Sequence, residues 1–176
     1  MHGIDSGRAF LPVRIAVLTV SDTRGPAEDS SGDLLVARLE AARHVLADRA
    51  IVRDEQAAIE ARLRAWVADP AVDAVISTGG TGLTGRDVTP EAIDKVKDKD
   101  IEGFGELFRW LSYRTIGTST VQSRACAAVA RGTYIFALPG SNGAVKDGWD
   151  KVISAQLDSR HGPCNMVEKM PRLLET

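Results

Sequence analysis

The stretch Ser77-Thr78-Gly79-Gly80-Thr81-Gly82-Leu83-Thr84-Gly85-Arg86-Asp87-Val88-Thr89-Pro90-Glu91-Ala92 concentrates groups that can hold an anion. Its glycines let main-chain N–H groups approach a ligand closely, the interleaved threonines add hydroxyl donors, and phosphate is the usual ligand of such a turn. The apolar run Val72-Asp73-Ala74-Val75-Ile76 leads into it and reads as a buried strand. Thr89 is expected to cap the helix that follows, with Pro90 at its first position, where a missing N–H costs nothing. Three more polar turns follow apolar runs: Ser21-Asp22, Asp54-Glu55 and Pro139-Gly140-Ser141-Asn142. In an open parallel sheet ligands bind beyond the carboxyl ends of the strands, so all four turns should line one edge. The acidic residues there also have plainer readings. Asp87 can simply favour a helix N-terminus, Asp54 can anchor its turn, and Ser21-Asp22 can be turn chemistry alone. Arg86 can pair with Asp87 or contact phosphate.

The elements that would carry these turns alternate along the chain. Residues 1–12 read as a flexible leader. Val13 to Ser21 is a strongly apolar strand of the kind buried on both faces. A loop over Gly25 to Gly32 leads to a helix capped by Ser31 and running to about Arg43, with Leu35, Leu39 and Ala42 inward. His44 to Val52 is a second strand, and Ala58 to Ala68 a helix with Ile59, Leu63, Trp66 and Val67 on its core face. After the glycine loop come a short helix near Pro90–Lys97, a charge-alternating solvated stretch from Asp94 to Asp100, and a helix over Glu102–Arg114. Val121 to Val129 reads as a small-residue helix that carries Cys126 as a core residue. Thr133 to Leu138 is a further strand, followed by a helix over about Ala144–Leu157 and an irregular tail from about Asp158. The alternation predicts an α/β, three-layer sandwich with a mostly parallel sheet, and one domain over residues 13–176.

Composition narrows the partners. A chain of 176 residues with 44% hydrophobic and 26% charged content suits a single domain with a full core. A net charge of -2 and the lack of any lysine-arginine run argue against nucleic acid as ligand. Cys126 and Cys164 are far apart with no CxxC, and His2, His44 and His161 are scattered, so neither a disulfide framework nor a His-Cys metal cluster is indicated. No apolar stretch is long enough to cross a bilayer and no signal peptide is visible, so the expected location is the cytoplasm.

Two familiar patterns fit the glycine loop only superficially. Gly80-Thr81-Gly82-Leu83-Thr84-Gly85 satisfies GxGxxG, but no strand ends in an acidic residue about 20 residues on, where a ribose partner would sit. Gly85-Arg86-Asp87 lacks the lysine and hydroxyl of a P-loop. The run Thr78 to Ala92 resembles instead the molybdopterin-binding signature of the MoaB/MogA family of molybdenum cofactor biosynthesis proteins. The resemblance extends through Ser21-Asp22-Thr23-Arg24, Asp54-Glu55-Gln56, Glu102 to Glu106 and Leu138 to Ser141. The segment Gly117 to Arg124 and the ending Pro163-Cys164-Asn165 are closer to the MoaB branch.

That resemblance implies a molybdopterin-binding fold, with ATP and Mg²⁺ as co-substrate and metal, and transfer of AMP to the terminal phosphate of molybdopterin. It also implies a homo-oligomer, trimer or hexamer, and a molybdenum-insertion partner later in the pathway. On the matching positions, Asp54 and Asp87 are the expected catalytic pair, with Asp54 as the Mg²⁺ ligand. Thr78, Gly79, Gly80, Thr81 and Gly82 are expected to cradle phosphate, with Ser21, Asp22, Pro139, Gly140 and Ser141 completing the molybdopterin and nucleotide contacts. The alternative is a non-catalytic molybdopterin-binding or scaffold oligomer of the same pathway.

Overall fold

The computed structural model describes residues 3–175; the first two residues of the expected leader and Thr176 of the tail lie outside the described residues. Strands β1 (Gly3–Ile4), β2 (Arg14–Val20), β3 (Val45–Val52), β4 (Ala74–Thr78), β5 (Lys99–Asp100), β6 (Cys126–Ala130), β7 (Thr133–Leu138) and β8 (His161–Gly162) alternate with helices α1 (Ser30–Ala41), α2 (Gln56–Val67), α3 (Thr89–Asp94), α4 (Glu102–Ile116), α5 (Asn142–Gly148) and α6 (Ser154–Gln156). The main sheet has the order β3-β2-β4-β7-β6-β5. Its first four strands are parallel, while β6 runs antiparallel to both β7 and β5. This is the expected α/β sandwich with a mostly parallel sheet.

Strand side chains alternate between the two covered faces, which is why β2 beyond Arg14, β4 and β7 are buried at every position, with Thr19, Ser77, Thr78 and Thr133 as their polar members. Ile15, Val17, Ile76 and Phe136 pack with Leu35 and Leu39 of α1, Phe104 and Phe108 of α4, and Trp149. Ala16, Leu18, Val75 and Ile135 pack on the opposite face with Ile59, Leu63 and Trp66 of α2 and Ile93 of α3. The helix from α5 to α6 passes through one π-type turn, Trp149–Ile153.

The expected helix over Val121–Val129 is not formed. Gly117–Gln122 is a 3-10 turn, and Cys126–Ala130 is β6, paired residue for residue with β7. Alanine's helix propensity of a few tenths of a kcal/mol is overridden by cross-strand pairing and burial. The hairpin closes on Arg131-Gly132, whose φ values of 48° and 85° are those of a type I′ turn, the twist-matched link for antiparallel strands. Cys126 therefore lies on a strand, where burial pushes its thiol up to about 11.

Smaller corrections concern the caps. Asp29, not Ser31, caps α1 by accepting from the Gly32 amide at 3.0 Å. Thr89 lies inside α3, and its hydroxyl donates to the Gly79 carbonyl at 2.9 Å instead of capping. Within the charge-alternating stretch, Lys99 and Asp100 form the edge strand β5, and Lys97 bridges Asp94 and Asp100. The segments at the two chain ends meet: β1 pairs with β8, and the Ser159 hydroxyl links the Leu11 amide and the Ala9 carbonyl.

Candidate functional site

The four polar turns leave the carboxyl ends of the parallel strands β3, β2, β4 and β7 in that spatial order. The glycine loop starts where β4 ends, and its first residues are pressed against β2. At Gly79 (φ 107°) a Cβ would lie 2.1 Å from the Val20 carbonyl oxygen, and at Gly80 (φ 66°) 2.4 Å from the Thr89 hydroxyl. Both the left-handed backbone and the contact demand glycine. The Gly79 amide donates to Leu138 at 2.9 Å and the Thr78 hydroxyl to the Pro139 carbonyl at 3.2 Å, so these groups tie the loop to the β7 turn. Among the described residues the amides of Gly80 and Thr81 have no acceptor, although both residues are buried. Thr81 Oγ1 is likewise buried without a partner. A polar group left open in a buried place calls for a partner, whether water, an ion or a ligand.

Carboxylates flank this loop on both sides. Asp54 Oδ1 would be 3.3 Å from a Cβ on Gly80, and Asp87 Oδ2 2.8 Å from one on Gly82. Asp87 accepts from the Thr84 amide at 2.9 Å and the Thr84 hydroxyl at 2.6 Å. Partial burial pushes its carboxyl up, but these bonds and the Gly82 amide outweigh that and hold it below the usual range. Asp54 has the opposite balance. Burial raises it first, the neighbouring Asp22 and Asp87 charges raise it further, and its pKa is pushed above the ordinary value.

Asp22 connects two turns. Its oxygens accept from Arg86 at 2.9 and 2.7 Å and from the Asp54 amide at 3.2 Å, and the Arg86 guanidinium holds it below the usual carboxylate range. Arg86 thus takes a partner neither sequence reading offered. Ser21 accepts from the amides of Thr23 and Arg24, and Ser141 caps α5 by accepting from the Ala144 amide, so both hydroxyls serve their own turns. Gly140 sits with its Cβ position 3.3 Å from the Gly79 Cα, and its carbonyl accepts from Arg24.

Arg124 is the residue that sequence reasoning left without a role. From the strand-6 side it donates to the carbonyls of Gly82 at 2.7 Å and Asp87 at 2.5 Å, and it pairs with Glu91. Its amide also donates to Thr81 at 2.9 Å. One arginine therefore grips both ends of the glycine loop. Two cavities adjoin the turns: one of about 700 Å³ between Ser21–Pro26 and Arg49–Arg53, and one of about 250 Å³ between Thr81-Gly82 and helices α4 and α5. Among the described residues no group of three or more His, Cys, Asp or Glu is arranged to hold a metal, and no helix is long and apolar enough to cross a membrane.

A mostly parallel sheet whose carboxyl edge carries a glycine loop between two carboxylates defines the class as an α/β sandwich. The family model described as probable molybdopterin binding domain matches residues 16–159. The chain is 51% identical over 156 residues to molybdenum cofactor biosynthesis protein B of Escherichia coli (strain K12), covering 89% of this chain and 92% of that one. It is 47% identical over 146 residues to the Bacillus subtilis (strain 168) protein of the same name, covering 82% and 86%. A crystal structure of molybdenum cofactor biosynthesis protein B superposes with a TM-score of 0.83 at 42% identity, covering 85% of this chain and 94% of that one. The tungsten cofactor synthesizing protein MoaB from Pyrococcus furiosus superposes at 0.73 with 38% identity, covering 79% and 89%. The chain belongs to this family of molybdenum cofactor biosynthesis proteins, and its fold is that of MoaB and MogA.

Proposed function

We propose that the chain binds molybdopterin at the glycine loop and transfers AMP from Mg-ATP to its terminal phosphate. The observation that carries this reading is the pair of open amides at Gly80 and Thr81 set between Asp54 and Asp87. In the transfer, an oxygen of the molybdopterin phosphate attacks the α-phosphorus of ATP, the bond from that phosphorus to the β-bridging oxygen breaks, and pyrophosphate leaves. Such a step asks the protein for positioning and charge control more than covalent chemistry. The Gly80 and Thr81 amides would orient the attacking phosphate. Mg²⁺ takes one or two carboxylates and leaves its other positions to water and phosphate oxygens, so Asp54, raised by burial and by Asp22 and Asp87, fits as its holder without a three-residue cage. The ion would neutralise charge on the nucleotide phosphates. Asp87, kept ionised by its Thr84 bonds, would orient the phosphate or a metal-bound water. Asp22 and Arg86 would close the turn over Asp54.

Purified protein given molybdopterin and Mg-ATP should form adenylated molybdopterin. Asp54→Asn and Asp87→Asn should each lower turnover at least about 100-fold, the loss expected when a group stabilising transition-state charge is removed, while circular dichroism stays native. Robust turnover in both variants would sink the catalytic roles. Tight molybdopterin binding with no AMP transfer by the unmodified protein would favour the scaffold reading.

A further inference from the structure

The segment ahead of β2 is fastened to the far end of the chain. Strand β1 pairs with β8, the Asp5 amide donates to the Arg160 carbonyl at 2.9 Å, and the Ser159 hydroxyl links Leu11 and Ala9. Where the segment enters β2 it meets His44, which is 6% exposed. The Val13 amide donates to His44 Nδ1 at 3.2 Å, so the neutral ring carries its own proton on Nε2. Phe10 of the segment lies 5.3 Å from the imidazole, centroid to centroid, and Trp149 lies 6.0 Å from it. The surroundings are already cationic. The Arg43 and Arg160 guanidiniums lie 4.5 and 5.1 Å from the Phe10 ring centroid, and His161 borders the same cavity of about 400 Å³. Among the described residues that line this cavity Asp158 is the one carboxylate, and both its oxygens accept from Arg160, at 2.9 and 2.7 Å. On the segment itself Arg8 is paired with Glu168, and Trp149 brings no charge.

We propose that His44 is a pH-sensitive latch: neutral, it holds residues 3–12 closed over the cavity, and protonated, it lets that segment open while the six-stranded sheet stays folded. A proton on Nδ1 turns the acceptor of the Val13 amide into a donor that faces it, and a buried donor without an acceptor is costly. The same proton sets a third cation beside Phe10, where the nearest carboxylate is already committed to Arg160. Opening relieves both. It is also local, because β2 itself is paired along its length with β3 and β4, whereas the segment has only the two-residue strand β1 and a few single bonds. In the open segment His44 is solvated, with an ordinary value of about 6.5, while burial in the closed one lowers it against the smaller raising effect of Asp158. Opening therefore takes up a proton and becomes easier as pH falls below about 6.5, until the lowered value of the closed form is reached.

The test is amide hydrogen exchange on the full chain, read by mass spectrometry as protection factors so that the intrinsic pH dependence of exchange is divided out. One proton shifts an equilibrium by at most about tenfold per pH unit. Protection over residues 3–13 should therefore fall several-fold, up to about tenfold, between pH 7.5 and 5.5, while β4 and α2 keep theirs. His44→Gln retains an acceptor for the Val13 amide but takes no proton, and it should abolish the fall. His161→Gln, at the other histidine bordering the cavity, should leave the fall in place. Protection that does not change with pH, a fall that β4 and α2 share, one that survives His44→Gln or one that His161→Gln removes overturns the proposal. If His44→Gln does not fold, proton NMR titration of the His44 ring in the unmodified protein decides in its place. The ring should titrate at the pH where the fall in protection levels off, and a different midpoint overturns the assignment.

Discussion

At Asp54, what function would want and what stability wants point in opposite directions. Burial and the charges of Asp22 and Asp87 raise its pKa, so the native state binds its proton more tightly than the unfolded chain does. Stability therefore falls as pH rises through the window from the ordinary aspartate value of about 3.9 up to the raised one, and the penalty is fully present at neutral pH. Asp54→Asn removes that penalty. Its midpoint in urea should rise at pH 7 by the equivalent of about 0.5 kcal/mol, the low end of gains from surface-charge optimisation, and the gain should vanish at pH 3. Equal stability of the two proteins at pH 7 would show that Asp54 is not strained. His44 titrates with the other sign. Burial lowers its pKa against a smaller raising effect of Asp158, and its Nδ1 accepts from the Val13 amide at 3.2 Å. Phe10 and Trp149 pack beside the ring. The unfolded chain binds this proton more readily, so the contribution is complete above about pH 6.5 and is lost as pH falls through the unfolded and then the lowered folded value. One proton limits the slope to about 1.4 kcal/mol per pH unit. His44→Gln should flatten the wild-type decline in urea midpoint between pH 7.5 and 5.5; an unchanged decline would place the acid sensitivity elsewhere.

Among the elements, the glycine loop is set by contacts from distant parts of the chain. Arg124 donates to Gly82 and Asp87 from just before β6, and its guanidinium also meets Glu91 in α3. Lysine cannot reproduce this planar fork. Arg124→Lys should cost about 1.5–3 kcal/mol, the range for hydrogen bonds to a charged group, and amide exchange over residues 80–91 should speed up more than in α2. Uniform exchange changes across the sheet would mean that Arg124 acts only on global stability. The same residue shows what the sequence could convey. Strands β2, β4 and β7 were readable because they are covered on both faces and so carry near-continuous apolar runs. The core face of α2 showed through its spacing, whereas on α4 Leu107 shares the apolar helical spacing of Phe104 and Phe108 but is 41% exposed. Strand β6 was not readable, because Cys126-Ala127-Ala128-Val129-Ala130 suits helix and strand alike until β7 is there to pair with it; Gly132 was the one local sign of the hairpin. At the site, the loop and its neighbouring turns were visible as residue types. Arg124 was not, since its significance lies in partners far along the chain.

For the molecule as a whole, the outer side of α4 is the unfinished surface. Leu107, Trp110, Tyr113 and Ile116 recur every third residue and are 41%, 57%, 57% and 52% exposed, and Val121 of the following 3-10 turn is 78% exposed. On the inner side the same helix is fully committed: Phe104 and Phe108 are buried in the core, and a Cβ on Gly105 would lie 2.6 Å from the Ala125 carbonyl oxygen. The helix therefore cannot roll to hide the outer residues. Contiguous apolar surface on a soluble protein most often marks a contact with another molecule. A homo-oligomer, trimer or hexamer, as the family resemblance implies, would give this surface an occupant, a second copy of the same chain. The adjoining cavity of about 250 Å³ includes Ile116 in its wall, so subunit contact there would also shelter that cavity from water. Light scattering at micromolar concentration should give three or six times the chain mass for the unmodified protein. Trp110→Glu combined with Tyr113→Glu should shift it toward the monomer and leave the circular dichroism unchanged, because both side chains are exposed in the single chain. A monomer before substitution would remove the second copy as the occupant of this face, and an unchanged oligomer after it would move the interface to another surface.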